Sequence, residues 1–182
     1  LEEVAIAARP GAASRRPEVA SVLAVLARQP ATAAIVAPGT LDGGDVLVVG
    51  RHIFVGRSSR TNDAGFEQLA AIVEPLGYHL VRVPISACLH LKSAVTAVDA
   101  RTLLVNRSWV EADTFREFDL VDIDPGEPSA ANVLSVSGHV IAAASCPRTC
   151  ARLAARAWNV MPVDLSEIEK AEGAVTCCSV IV

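Results

Sequence analysis

Long apolar runs are absent from this chain: no stretch approaches the roughly 18 residues that a membrane-spanning helix requires. Runs of basic residues are absent too. Nothing longer than Ser14-Arg15-Arg16 occurs and the net charge is -4, which excludes a general nucleic-acid binder. No histidine pair stands at zinc-finger spacing, so no metal is expected. No secretory leader pattern opens the sequence, and because Leu1 is not an initiator methionine an upstream segment is expected. What is present is a chain of 182 residues with 52% apolar and 20% charged side chains, the composition of a folded domain rather than a disordered one. Residues 1–182 suit a single domain, large enough to bury roughly 70% of its unfolded surface without a disulfide or metal staple.

The five cysteines are Cys88, Cys146, Cys150, Cys177 and Cys178. An odd number in a chain with a good apolar core favours a reducing compartment, and so a cytoplasmic protein. Cys146 and Cys150 lie one turn apart on an expected helix and share a face. They could grip a metal, but two small buried residues are the more ordinary explanation. Cys177 and Cys178 fall on an expected strand and would point to opposite sides of it.

Three stretches share one plan of hairpin, helix and short strand. The first hairpin is Val46-Leu47-Val48-Val49, a turn at Gly50-Arg51, then His52-Ile53-Phe54-Val55. Its helix is expected from Asn62 to Leu76. Phe66, Leu69, Val73 and Leu76 form an apolar stripe, Asn62 is the cap, and Pro75 and Gly77 mark the end. His79 to Val83 is the closing strand. The second unit has Ala94 to Val98, a turn near Asp99-Ala100, Thr102 to Val105, a weaker helix from Val110 to Phe118 and a strand from Leu120 to Ile123. The third has Val133 to Val136, a turn at Ser137-Gly138, His139 to Ala143, a helix from Pro147 to near Trp158 and a strand from Val160 to Val163. Partial copies occupy the ends. Val4 to Ala8, a helix from Pro17 to Ala27 with Val19, Val22, Leu23 and Leu26 on one face, and Ala33 to Val36 lack only the first strand; Ser179 to Val182 reads as a lone first strand. An open array leaves raw sheet edges, whereas a ring does not, and closing one requires about one further unit upstream.

Polar residues recur at one place on this plan. Asp42, His90, Asn132 and Cys177 each stand just before a first hairpin strand, at successive spacings of about 48, 42 and 45 residues. In a ring of units they face one another across the axis, which brings an acid, an imidazole and a thiol together. Arg15 and Arg60 occupy matching loops between second hairpin strand and helix, where two guanidinium forks can clamp one carboxylate. Each has an ordinary alternative: loop arginines are commonly solvated, an aspartate beside glycines forms turns, and a cysteine before a strand is a small core residue. His52 and His139, on hairpins, are expected to be structural.

The strings Leu41-Asp42-Gly43-Gly44-Asp45, Ser59-Arg60-Thr61-Asn62, Leu89-His90-Leu91-Lys92-Ser93 and Gly173-Ala174-Val175-Thr176-Cys177-Cys178-Ser179 resemble the dimethylarginine dimethylaminohydrolase family, in the same order and at similar spacing. Arg9-Pro10-Gly11-Ala12 with Ser14-Arg15-Arg16 is similar to its bacterial members, and the resemblance runs from Val4 to Val182. Related arginine deiminases and amidinotransferases carry an acid two residues after the histidine, where this chain has Lys92. The resemblance implies an α/β fold, the pentein: a five-bladed, pseudo-symmetric α/β propeller of ββαβ units, here lacking about one N-terminal unit. It also implies roles: Cys177 as nucleophile, His90 as general acid and base, Asp42 as the acid that orients the imidazole, and Arg15 and Arg60 as contacts to the substrate carboxylate. Ala171 matches a position whose backbone carbonyl receives the substrate amino group. The family's guanidinium-gripping acids lie upstream of Val4, and Glu2 and Glu3 fall out of their register.

The function so implied is hydrolysis of a methylated arginine to citrulline and an alkylamine, with no metal or organic cofactor and no nucleic-acid or membrane partner. A homodimer is compatible with the sequence, which does not set the oligomeric state. The alternatives are another guanidine hydrolase such as an arginine deiminase, a non-catalytic protein that binds arginine derivatives, and a thiol-rich zinc or redox module.

Overall fold

Short runs of valine, leucine and isoleucine build the sheets of this protein, and the computed structural model describes residues 1, 3–26 and 32–179. The chain divides into two units, Leu1–Pro84 and Ile85–Val182. The first unit begins with β1 (Ala5–Ala7), α1 (Glu18–Leu26) and β2 (Thr32–Ala34), and β1 pairs with β2 in parallel. Along α1, Val19 and Leu23 are half-buried and Val22 is exposed; the side chain of Leu26, and Ala27, lie outside the described residues.

In the rest of that unit, β3 (Val46–Val49) and β4 (His52–Arg57) form an antiparallel hairpin. Leu47 and Val49 face the core while Val48 faces out, the two-residue period of a strand covered on one side. Helix α2 (Asp63–Val73) returns the chain to β5 (His79–Pro84), which pairs in parallel with β4. Such a crossover is what joins parallel neighbours. The Asn62 side chain accepts the Gly65 N–H at 2.8 Å, the cap the sequence promised. Leu69 and Val73, four apart, are buried against Ile53 and Val55 of β4, and full burial of such side chains is worth roughly 1.5–3 kcal/mol each. Leu76 departs from the expected stripe and is exposed, because Glu74–Leu76 tightens into a 3-10 turn around Pro75 that rotates it away.

The second unit opens with α3 (Leu91–Ala94), β6 (Val95–Ala97), β7 (Thr102–Val105) and β8 (Asp119–Asp122). β9 (Leu134–Val136), β10 (His139–Ala143), α4 (Pro147–Ala154), β11 (Asn159–Val163) and α5 (Ser166–Glu169) follow. Both of its sheets repeat the plan of the first unit: the central strand pairs antiparallel with the strand before it and parallel with the strand after the crossover. Ser137 and Gly138 both have positive φ, as a type I′ hairpin turn requires. One core joins these sheets, with Leu104 and Val121 meeting Ala131, Val140 and Leu153.

Three expectations need correction here. The helix foreseen from Val110 to Phe118 is only a 3-10 turn, Ala112–Phe115: Val110 is held in a β-bridge to Ile85, and Phe115 plugs the core. Helix α4 stops at Ala154 rather than near Trp158, since Ala157 turns left-handed (φ 67) and the Trp158 indole N–H reaches Asp99. Cys177 and Cys178 do not lie on a strand. Val175–Cys178 is a 3-10 turn, Ser179 is extended, and Val180 to Val182 lie outside the described residues.

Candidate active site

In the first unit the motif Leu41-Asp42-Gly43-Gly44-Asp45 is a structural knot. Asp42 caps the 3-10 turn Gly43–Asp45 and is buried. Its Oδ1 accepts the Gly11 main-chain N–H at 2.9 Å, and its own N–H donates to Thr61 Oγ1 at 3.2 Å. The Thr61 hydroxyl donates in turn to Asp45 Oδ2 at 2.7 Å, as does Ser58 Oγ at 2.5 Å, and Ser58 Oγ accepts the Arg60 N–H at 3.0 Å. Asp45, wholly inaccessible to solvent, therefore shapes the loop that carries Arg60. Gly11 lies so close to that loop that a Cβ would collide with the Arg60 carbonyl oxygen. Asp42 and the Arg60 loop are thus brought together, with the strand of chain leading to Arg15 laid against them.

Arg15 is exposed and its guanidinium lies on Glu18, with Nη2 to Oε2 at 3.0 Å. A solvent-exposed pair of this spacing is worth about 0.2–0.5 kcal/mol, small enough for a bound carboxylate to displace. Glu3 is engaged elsewhere, accepting from Arg51 at 2.6 Å and from the Tyr78 hydroxyl at 2.8 Å. The Arg51 hydrogen bond and then that of Tyr78 hold its carboxyl below the usual glutamate range.

In the second unit His90 is half-buried at the cap of α3, and its carbonyl accepts the Ser93 N–H at 3.0 Å and lies 3.4 Å from Cys88 Sγ. Leu91, next to it, is fully buried and pins the turn. Cys177 and Cys178 are exposed. Asp42 and His90 stand at the caps of their turns, whereas Cys177 lies within its own, and the strand expected to follow it falls mostly outside the described residues. Ala174 is the cap of the Val175–Cys178 turn, and the Cys177 N–H donates to the Ala174 carbonyl at 3.1 Å. The remaining member of the series, Asn132, is buried between the two turns. Its Nδ2 donates to the Lys92 carbonyl and to Thr176 Oγ1, both at 2.9 Å, and its Oδ1 accepts the Thr176 N–H at 2.9 Å.

Ala171 is exposed in the turn after α5, its N–H on the Ile168 carbonyl at 3.0 Å, and the next residue, Glu172, is left-handed with φ 58. A cleft of about 620 Å³ is lined by Leu89, Trp109, Asn132, Cys146, Glu172 and Val175 among others. It flanks the His90 and Cys177 turns, although neither of those residues lines it. Burial pushes the thiols of Cys146 and Cys150 up, which keeps both protonated and poor as nucleophiles. Among the described residues no three histidine, cysteine or acidic side chains group as a metal site, and no helix is long and apolar enough to cross a membrane.

In the sequence Asn132 stands out only as a repeat position and Asp45 only as part of a motif. Their partners lie 44 and 16 residues away, which no local pattern reveals.

Residues 13–136 match the family model described as arginine deiminase. The chain is 46% identical to the N(G),N(G)-dimethylarginine dimethylaminohydrolase of Streptomyces coelicolor, covering 99% of this chain and 69% of that protein. It is 37% identical to the enzyme of the same name from Pseudomonas aeruginosa, covering 96% and 70%. A solved structure of the Pseudomonas aeruginosa protein, a cysteine-to-serine variant complexed with citrulline, superposes with a TM-score of 0.91 at 35% identity, over 97% of this chain and 70% of that one.

Proposed function

Because the chain belongs to the dimethylarginine dimethylaminohydrolase family, we propose that it hydrolyses an Nω-methylated arginine to citrulline and an alkylamine, with Cys177 as nucleophile. The observation that carries this reading is the likeness, over nearly the whole chain, to a family enzyme holding citrulline. The α/β units support it further. In this reading the three ββαβ sheets and the β1–α1–β2 piece are blades of a five-bladed propeller, residues 1–182 belong to one such domain, and the odd cysteine count suits a cytoplasmic setting.

A guanidinium is a poor electrophile because its charge spreads over three nitrogens, so the attacking group must be soft and strong, and a thiolate serves. The Cys177 thiol passes its proton to His90, and the thiolate Sγ attacks the central carbon and forms a tetrahedral centre. An amide-like anion cannot leave, so His90 protonates the departing nitrogen as its bond to carbon breaks. Dimethylamine departs and a covalent thiouronium remains. Neutral His90 then takes a proton from water, the hydroxide adds to the same carbon, the carbon–sulfur bond breaks to restore the thiolate, and citrulline leaves after giving up a proton to solvent. Asp42 is assigned as the acid that favours the imidazolium, Arg15 and Arg60 as the contacts to the substrate carboxylate, and the Ala171 carbonyl as the acceptor of the substrate amino group. The scheme requires no metal or organic cofactor.

The experiment is an amine-resolved citrulline assay with asymmetric dimethylarginine and with free arginine. Dimethylamine released in step with citrulline is the expected result. Ammonia from arginine alone supports the second reading, an arginine deiminase, which the description of the matching family model favours. Tight ligand binding without citrulline from either substrate overturns both.

A further inference from the structure

The Cys177 turn and the His90 turn are separated by more than 80 residues of sequence, and one side chain touches the backbone of both. Asn132 is only 5% exposed. Its carboxamide orientation is forced. The Thr176 N–H requires an oxygen opposite it, and the Lys92 carbonyl requires an N–H, so a flipped amide would set donor against donor and oxygen against oxygen. The second Nδ2 hydrogen is taken by Thr176 Oγ1. An aspartate of the same shape could accept from Thr176 but could donate to neither partner.

The hub is itself anchored. Thr96, buried in β6, donates its hydroxyl to the Ala131 carbonyl at 2.6 Å and accepts the Val133 N–H at 3.2 Å. The residues on both sides of Asn132 are therefore bolted to the strand that follows the His90 turn. What remains for the Asn132 side chain to fix is the register of Thr176, the residue before Cys177, against Lys92, two residues after His90.

We infer that Asn132 is a positioning residue that holds the Cys177 turn against the His90 turn through Thr176 and Lys92. This rests on the hydrolase reading for its kinetic consequence, but its effect on Cys177 does not. A thiol and an imidazole exchange a proton only in a narrow geometry, and loss of the clamp lets the Cys177 turn drift, whereas Arg15, Arg60 and Ala171, assigned to the substrate carboxylate and amino group, stand on other segments of the chain. The loss therefore falls on turnover rather than on substrate affinity.

The test compares Asn132→Ala, Asn132→Asp, Thr176→Val and Thr176→Ser, all in a Cys178→Ser background. It reads kcat and KM for citrulline formation and the pH profile of Cys177 alkylation by iodoacetamide without substrate. Asn132→Ala and Asn132→Asp should lower kcat about 10- to 100-fold with KM within about threefold, the scale of a misplaced reacting group. Both should slow Cys177 alkylation or displace its pH profile. Thr176→Ser keeps the hydroxyl and should stay near the parent, whereas Thr176→Val keeps the shape and should not. A purely packing role predicts the reverse order for these two, and they decide the matter if Asn132→Ala does not fold. Unchanged kcat and alkylation in the Asn132 variants, with only the melting temperature lowered, overturn the inference. If the parent forms no citrulline, the hydrolase reading fails by itself, and an unchanged alkylation profile is then what overturns the role of Asn132.

Discussion

The main-chain N–H of Gly11 donates to Oδ1 of Asp42 at 2.9 Å, across 31 residues of sequence. The same glycine presses on the Arg60 backbone without room for a Cβ. One residue without a side chain thus sets both the carboxylate assigned to act on the imidazole and a loop assigned to the substrate carboxylate. Gly11→Ala should force these apart. Overpacking of this kind costs about 1–3 kcal/mol, visible in urea unfolding, and KM should rise because the Arg60 loop moves. An alanine variant with parental stability and parental KM would show that the contact has slack.

The two adjacent thiols make opposite predictions. Both are exposed on one 3-10 turn, so accessibility does not separate them. Cys177→Ser should abolish citrulline formation, since a serine hydroxyl is far too weak a nucleophile toward a guanidinium. Cys178→Ser should leave most of it. The assay is steady-state citrulline production, and the reverse pattern moves the nucleophile to Cys178.

The hairpins were legible because Val46–Val49 and His52–Arg57 are rich in β-branched and other apolar residues and the turn chemistry between strands is local. Helix α2 was legible for the same kind of reason: its cap, Asn62, acts on a residue only three away. The turn at Cys177 was not. Val175-Thr176-Cys177-Cys178 is rich in strand-favouring residues, and what bends it is a bond from Asn132, 44 residues distant. Local preference lost there to a tertiary contact. The candidate site followed the same division. The residue types and their order stood in the sequence motifs, whereas the bonds that hold them, Gly11 to Asp42 and Asn132 to Thr176, arise only once the chain has folded.

His90 should govern amine release rather than binding. With His90→Ala, no side chain at that place can protonate the departing nitrogen, so rapid-quench measurement of dimethylamine should show no release at neutral pH, while dimethylarginine still binds. Parental rates of amine release in that variant remove His90 from the scheme.

Acid should weaken the second unit through Glu127. Cys146, the cap of α4, makes no capping bond through its side chain, and Glu127 takes its place, accepting the Arg148 N–H at 2.9 Å and the Thr149 N–H at 2.8 Å. Burial pushes the Glu127 carboxyl up, but these N–H bonds, joined by the Arg148 side chain, outweigh it and leave it below the ordinary glutamate range. A carboxyl lowered on folding stabilises the protein fully above its unfolded value, and that contribution fades as the pH drops through the folded one. Glu127→Gln keeps the shape and removes the charge. It should be less stable than the parent by about 1–2 kcal/mol at neutral pH, the worth of a helix cap with its charge. The gap should close as the pH falls through the lowered Glu127 value, because the parent carboxyl is by then protonated too. Urea midpoints for both proteins from neutral to acid pH provide the check. Two curves that stay parallel throughout would mean that the Glu127 side chain supports α4 by its shape and hydrogen bonds, not by its ionisation.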